Sequence, residues 1–306
     1  MADSVRVNHG GRDLTVSNLD KLMYRAAGFT KADVISYYAS IAPVMLPHLA
    51  GRAITMVRFP DGVDGESFFE KRCPGHRPGW MPTVHVGRST DSRSYSACVF
   101  EEPAALVWAA NLAALELHPP LARADTPDMP TQVVFDLDPG KPADIVDCVS
   151  VAHDLRAVLD AAGLVGFVKT SGSKGLHIAV PLNPPAETGV DHDTTREFAL
   201  AVGQVLAQRR SDVVVDMDRA QRRGKVFVDW SQNARHKTTV CVYSLRGRDR
   251  PTVSTPLLWE ELDELKESGG ADAFAFEPTA VLARVEEVGD VHAPIQVLEQ
   301  TLPGRR

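Results

Sequence analysis

The segment Val133-Val134-Phe135-Asp136-Leu137-Asp138-Pro139-Gly140 sets two carboxylates two residues apart. In a strand, residues i and i+2 share a face. Asp136 and Asp138 therefore project side by side, while Phe135 and Leu137 face a core. Pro139-Gly140 ends the strand and leaves the carboxylates at its tip, where a ligand can reach. Like charges this close cost energy unless a cation neutralises them, and hard oxygen ligands suit Mg²⁺ or Mn²⁺. Alone, the pattern equally describes two exposed turn aspartates. A third carboxylate, Asp229, closes the β-branched and aromatic run Lys225-Val226-Phe227-Val228-Asp229, which reads as a strand. A charge inside an apolar strand needs a partner. Three aspartates from two strand ends can hold two metals about 3.5–4 Å apart, the arrangement used for in-line displacement at phosphorus. Asp216 and Asp218 repeat the spacing, but a basic turn, Arg219 to Gly224, follows them. They are expected to be solvated or paired with those arginines.

A second chemical feature is Thr170-Ser171-Gly172-Ser173-Lys174-Gly175-Leu176-His177. Glycines at 172 and 175 permit backbone geometries that turn successive N–H groups inward. Ser171 and Ser173 are expected to add hydroxyl donors, Lys174 a compact positive charge, and His177 a further donor. By itself this is a polar hairpin with a structural histidine. Beside three aspartates it reads as a turn that holds a triphosphate, although it lacks the GxxxxGK[ST] spacing of a P-loop.

These groups need strands and helices to present them. Thr30-Lys31-Ala32-Asp33 reads as a capping box, and Val34, Ile35, Tyr38, Ile41, Val44 and Met45 recur at helical spacing. Helices are predicted over 103–117, 143–162 (ending at Gly163), 193–209, 257–268 and 278–288. Strands are predicted over 52–59, 165–170, 176–181 and through the two aspartate segments, with a Gly/Pro/Ser-rich loop and short strands over 61–95. The mixture predicts an α+β, mixed α/β fold. A weak composition change near 121–130 divides a single domain, 1–306, into an N-terminal lobe of about 1–125 and a catalytic lobe of about 126–306.

The apolar fraction, 44% of 306 residues, allows a sizeable core. No apolar run reaches the roughly 18–20 residues of a membrane span, and no signal-peptide core is present. A soluble, cytoplasmic, nucleoid-associated protein is expected, with no membrane partner. Cys73, Cys98, Cys148 and Cys241 form no CxxC pair and are expected to be reduced thiols. The net charge of −7 argues against indiscriminate binding to nucleic acid. Even so, Arg219, Arg222, Arg223, Lys225, Arg235, Lys237, Arg246, Arg248 and Arg250 cluster late in the chain and could guide a polyanion to one face.

FDLDPG, SGSKGLH and KVFVDWSQN, in that order, resemble three motifs of the archaeo-eukaryotic primase superfamily, most closely the polymerase domain of bacterial ATP-dependent DNA ligase D. The resemblance runs from about residue 13 to about residue 260. It implies a primase-type core with an RRM-like antiparallel or mixed sheet flanked by helices, and an N-terminal lobe packed against it. It makes Asp136, Asp138 and Asp229 ligands of two Mn²⁺ or Mg²⁺ ions. It places Ser171, Ser173, Lys174, His177 and Gln232 near the incoming nucleotide, together with His118 of Leu115-Glu116-Leu117-His118 and Arg246 of Tyr243-Ser244-Leu245-Arg246.

Asn18, Lys21 and Lys31 match a pocket for a downstream 5′-phosphate. Arg58, Phe68, Phe69, Lys71 and Arg222 match contacts to DNA or template, where adjacent aromatics can stack on bases. Val57 stands where relatives carry a basic residue, and the loop 73–95 diverges. The implied activity is templated addition of nucleotides, with a preference for ribonucleotides and Mn²⁺, to a DNA 3′ end at gaps or breaks in end joining. The implied partners are gapped or broken DNA, NTP or dNTP, a DNA ligase and other end-joining proteins. No ligase or nuclease segment follows, so a stand-alone relative of mycobacterial or actinobacterial type is expected. A primase that starts chains de novo, a non-catalytic end-binding module and a metal-dependent phosphoesterase are the alternatives.

Overall fold

A computed structural model describes residues 4–87, 94–183 and 189–304. Residues 88–93 of the divergent loop lie outside the described residues. The chain divides into two compact units: Met1–Pro120 with Val240–Val253 and Glu277–Gly289, and Leu121–Thr239 with Ser254–Phe276 and Asp290–Arg306. The architecture is mixed α/β, as the sequence pattern predicts. Among the described residues, no helix is long and apolar enough to cross a membrane.

The first unit opens with the antiparallel hairpin β1 (Ser4–His9) and β2 (Arg12–Ser17). Strands β3 (Leu22–Tyr24) and β4 (Phe29–Thr30) lead into helix α1 (Lys31–Leu49). The predicted capping box is present: Thr30 accepts from the Asp33 amide, and the Asp33 carboxylate accepts from the Thr30 amide. Strands β5 (Thr55–Arg58) and β6 (Phe68–Glu70) follow, then the hairpin β7 (Thr83–Val86) and β8 (Tyr95–Cys98). Helix α2 (Pro103–Asn111) and strand β9 (Ala114–His118) complete this stretch, with β9 pairing β5 in the three-stranded order β6-β5-β9.

Two expectations are corrected here. Residues 103–117 are not one helix, because α2 stops at Asn111 and the chain turns through Ala113, at φ 59°, into β9. Residues 104–110 and 113–117 are buried almost without interruption, so no polar stripe distinguishes a helical period from a strand period. The second correction concerns the cysteines. Cys73 and Cys98 are joined in a disulfide, with their Cα atoms 4.8 Å apart. The Cys73 amide donates to the Ser96 carbonyl, which lays the loop after β6 along β8. Sequence spacing conceals that approach. Cys148 and Cys241 are buried free thiols.

The second unit is organised by β10 (Gln132–Pro139), α3 (Ile145–Ala161), β11 (Phe167–Thr170), β12 (Leu176–Pro181), α4 (His192–Arg209), β13 (Val213–Val214), β14 (Val226–Asp229), β15 (Pro256–Leu257) and α5 (Glu261–Gly269). Its six strands lie in the order β13-β14-β10-β12-β11-β15, antiparallel except for β13 with β14. The last helix, α6 (Pro278–Val288), belongs to the first unit. Phe135 and Leu137 on β10 are fully buried in one core with Leu155 and Leu159 of α3 and Val202 and Leu206 of α4. Each such side chain contributes about 1.5–3 kcal/mol of burial. Packing one face of β10 this tightly fixes its alternation, and with it the opposite face, which carries Asp136 and Asp138.

Candidate functional site

Strand register assembles the carboxylates. Asp136 lies directly opposite Asp229 on β14 and opposite His177 on β12. Directly paired residues project to the same face, so the three side chains form a row across the sheet, with Asp138 two residues farther along β10. His177 Nε2 is 3.3 Å from Asp136 Oδ1. Gln232, on the short turn Trp230–Asn233, points Nε2 at Asp229 Oδ2 (3.2 Å) and at Asp136 Oδ2 (3.5 Å). Asp229 Oδ1 accepts from the Ser231 amide and hydroxyl, capping that turn. Lys174 Nζ lies 2.9 Å from Asp138 Oδ1.

Burial raises the pKa of Asp138, and the nearby Asp136 charge adds to the rise, while Lys174 opposes it. Lys174 thus compensates the Asp138 carboxylate only in part. Among the described residues, no group of three or more His, Cys, Asp or Glu side chains stands arranged to hold a metal ion. The donor chemistry, three hard carboxylates on one face, fits Mg²⁺ or Mn²⁺; binding would require Lys174 and Gln232 to release the oxygens they now engage.

The turn between β11 and β12 is built as a cradle. Gly172 takes the left-handed conformation, φ 67°. Ser171 Oγ accepts from the Ser173 and Gly175 amides at 3.2 Å each, and the Ser171 amide donates to the Gly175 carbonyl. The Ser171 hydroxyl oxygen therefore shapes the turn, whereas Ser173 and Lys174 are exposed on it. Asp138, Pro139, Gly140, Lys174, Arg219 and Arg222 line an open cleft of about 390 Å³ beside the row. The Arg222 guanidinium stacks 3.5 Å above the Phe227 ring and donates to the Met217 carbonyl. Asp216 and Asp218 are exposed, the solvated alternative, and cap the local backbone: Asp216 accepts from the Asp218 amide and Asp218 from the Ala220 amide.

The first unit carries the other predicted residues. His118 Nε2 lies 2.7 Å from Glu116 Oε2, and Glu116 Oε1 accepts from Arg246 Nε at 3.2 Å and from the Gly247 amide at 2.9 Å. Glu116 is buried. Burial pushes its pKa up, but the His118 hydrogen bond and the Arg246 charge outweigh that and hold it at about 2. Glu116 is a buried carboxylate that joins two of the predicted site residues and that the sequence pattern does not single out. Its signal was the i, i+2 relation to His118, which is visible only if 114–118 is read as a strand.

Phe68 and Phe69 are 44% and 64% exposed, too open for a small core of their own. Arg58 lies over Phe68, 5.3 Å from its centroid, and is fixed by Glu70 and the Leu112 carbonyl. Phe69 meets the His118 ring edge-on at 6.2 Å. Lys71 is exposed beside them.

Asn18, Lys21 and Lys31 are brought together by a reversal of the chain. Asn18 sits at φ 55° and its carbonyl accepts from the Lys21 amide; Asn tolerates this region better than most residues. The Lys31 amide then donates to the Lys21 carbonyl and the Ala32 amide to the Leu19 carbonyl. Lys21 Nζ pairs with Asp61 at 2.9 Å, and the buried Lys31 Nζ donates to the Ser17 carbonyl at 2.7 Å. Burial first, then the charges of Lys21 and Arg58, lowers the Lys31 pKa to about 8.

This is the fold of a ligase D polymerase domain: it superposes on a solved polymerase domain of Mycobacterium tuberculosis ligase D in complex with DNA, with TM-score 0.84, 38% identity, and coverage of 94% of this chain and 99% of that one. The chain belongs to the LigD primase-polymerase domain family, which it matches over residues 30–292. It is 39% identical over 284 residues to the multifunctional non-homologous end joining protein LigD of Mycolicibacterium smegmatis, and 42% identical over 260 residues to that of Mycobacterium bovis. Those alignments cover 92% and 82% of this chain but only 36% and 34% of the relatives, so the chain spans about a third of their length.

Proposed function

We propose that the chain is a template-directed nucleotidyltransferase that adds nucleotides to a DNA 3′ end at gaps or breaks bearing a downstream 5′-phosphate, as a repair polymerase in end joining. The observation that carries this is the row of Asp136, Asp229 and His177 across adjacent strands, with Asp138 and Lys174 beside it and the Ser171–Gly175 turn alongside. The relatives' names place them in end joining, and the solved domain is bound to DNA. Two divalent ions, Mn²⁺ or Mg²⁺, held by Asp136, Asp138 and Asp229, would lower the pKa of the attacking 3′-hydroxyl and neutralise charge on the phosphates.

The remaining chemistry belongs to side chains. The 3′-oxygen attacks the α-phosphate and pyrophosphate leaves. Lys174, exchanging Asp138 for a phosphate oxygen, offsets charge on the triphosphate, and Ser173 and the turn amides add donors. His177 and Gln232 orient the carboxylates, and Ser171 holds the turn that carries Lys174. His118 and Arg246 contact the nucleotide. Phe68 and Phe69 stack on template bases, with Arg58, Lys71 and Arg222 on the DNA backbone. Filling a gap leaves a nick, so a DNA ligase is the partner the product requires, and the work is done on DNA in the cytoplasm.

The test is a gapped duplex with and without the downstream 5′-phosphate, Mn²⁺, and labelled ribo- or deoxynucleotides. Templated single-nucleotide additions, favoured by the phosphate, are expected; binding without extension would mark an end-binding module instead. Lys21→Ala weakens binding to the phosphorylated gap more than to the unphosphorylated one. Equal weakening removes Lys21 from the phosphate pocket.

Lys31 gives that pocket a pH dependence. Its folded pKa of about 8 lies below the ordinary lysine value of 10.5. Between those values the unfolded chain binds more protons, so this group's contribution to stability grows as pH rises through the window and is lost as pH falls through about 8. A phosphate favours the charged lysine. The 5′-phosphate-dependent part of DNA affinity therefore declines as pH is raised past about 8, and binding at that pH takes up a proton. Calorimetry in buffers of different ionisation enthalpy reads the uptake, and its absence would remove Lys31 from the phosphate contact.

A further inference from the structure

We propose that Glu116 is the positioning residue for the nucleotide's phosphate contacts, one buried carboxylate that aims both His118 and Arg246. This rests on the reading of those two residues as nucleotide contacts. Glu116 sits on β9 opposite Val57 of β5, with 7% of its surface exposed. Its two oxygens divide the work: Oε2 takes His118 Nε2 at 2.7 Å, and Oε1 takes Arg246 Nε at 3.2 Å and the Gly247 amide at 2.9 Å. Three donors converge on one carboxylate, the satisfied form in which a buried charge is tolerated.

The geometry sets the chemistry of each partner. An ionised carboxylate only accepts, so His118 must carry its proton on Nε2, and a second proton on Nδ1 makes an imidazolium that Glu116 stabilises. Such a ring can donate to a phosphate oxygen from Nδ1. A guanidinium held at Nε also carries two terminal nitrogens, the fork that matches a phosphate. Gly247 is required for the grip, because a Cβ at that position would run into the Phe59 ring, and only a bare backbone brings the amide onto Glu116. Glu116 stays charged throughout the working pH range, and the groups that bear on it electrostatically are His118, Arg246 and the neutral Tyr24 and Tyr38 hydroxyls.

The backbone around Arg246 has further anchors besides the Gly247 amide's bond to Glu116. Tyr24 donates to the Arg246 carbonyl at 2.7 Å, Tyr37 to the Tyr243 carbonyl at 2.8 Å, and Tyr38 accepts from the Leu245 amide at 3.1 Å. A change at Glu116 should therefore disturb the aim of two side chains more than the fold. Glu116→Gln keeps the shape but leaves one accepting oxygen for three donors and turns an NH₂ toward one of them.

The experiment uses the full chain. Nucleotide affinity, KM and kcat are measured for wild type and Glu116→Gln on the same gapped DNA, with the ¹⁵N resonances of His118 followed against pH. The expected result is nucleotide affinity weakened about ten- to a hundredfold, the range for losing a charge-assisted hydrogen bond. The loss appears mainly in KM for the nucleotide, with DNA affinity unchanged and the His118 imidazolium deprotonating at lower pH. Glu116→Asp, shorter but charged, recovers part of the loss. Unchanged nucleotide affinity, or an unmoved His118 titration, overturns the proposal. If Glu116→Gln does not fold, the wild-type resonances decide: His118 protonated at Nε2 across the titration and shifting together with Arg246 Nε on nucleotide addition supports it, and independent behaviour overturns it. A wild-type protein that binds no nucleotide at all fails the underlying functional reading instead, so the two failures are distinguishable.

Discussion

Asp136→Asn is expected to lower the rate of nucleotide addition about a hundred- to a thousandfold, the scale for removing one member of a preorganised electrostatic site, while leaving the fold intact. The substitution keeps the size of the side chain and one oxygen able to accept from His177 or Gln232, which now lie 3.3 and 3.5 Å from the carboxylate. It removes the charge at the centre of the row, where Asp136 stands directly opposite Asp229 and two residues from Asp138. Carboxylates crowded onto one face repel. Without metal, the variant should melt at the same temperature as wild type or higher. Mn²⁺ should raise the wild-type Tm by mass action and raise the variant's less. Rate and melting together separate a residue that serves chemistry from one that serves the fold. Full activity in the variant, or an equal Tm rise with Mn²⁺, would remove Asp136 from the metal site.

The same row shows what a sequence can disclose. Asp136 and Asp138 were readable as a pair because strand periodicity is 2 and Phe135 and Leu137 had to be buried, as they are. The fold class and most helices followed from the same periodicities and from the capping box at Thr30. What sequence could not supply was register. Nothing in the spacing of residues 136, 177 and 229 says that they lie opposite one another on neighbouring strands. It likewise could not show that Asn18 reverses the chain so that the Lys21 carbonyl meets the Lys31 amide, or that Cys73 reaches Cys98.

The clearest loss came where burial erased the pattern. Across residues 103–117 every period looks alike because almost every residue is inside. Reading that stretch as a helix hid the strand that sets Glu116 and His118 on one face. The resemblance to relatives gave roles to His118 and Arg246 but none to Glu116 of the same Leu115-Glu116-Leu117-His118 element, whose bonds to both are visible only in the structure.

Gly175→Ala should cost both stability and activity, and the second loss should be far larger than the first explains. A Cβ at 175 would run into the Leu137 carbonyl of β10, between Asp136 and Asp138. Backbone cannot yield as a flexible side chain can, so β12 must withdraw from β10 or the turn must open. Either movement breaks the Ser171 Oγ contacts with the Ser173 and Gly175 amides and shifts Lys174 from Asp138. Overpacking of this kind costs about 1–3 kcal/mol, while a displacement of about 1 Å at a reacting centre can cost on the order of a hundredfold in rate. Gly163→Ala is the control. Gly163 follows α3 at φ 73° with open space where a Cβ would go, so alanine there is strained by roughly 1 kcal/mol but remote from the carboxylates. Both variants should melt earlier than wild type in calorimetry, and only Gly175→Ala should lose nucleotide addition at a temperature where both remain folded. Equal activity in the two would mean that the turn at 171–175 does not position the chemistry, and the phosphate-holding role given to Lys174 would go with it.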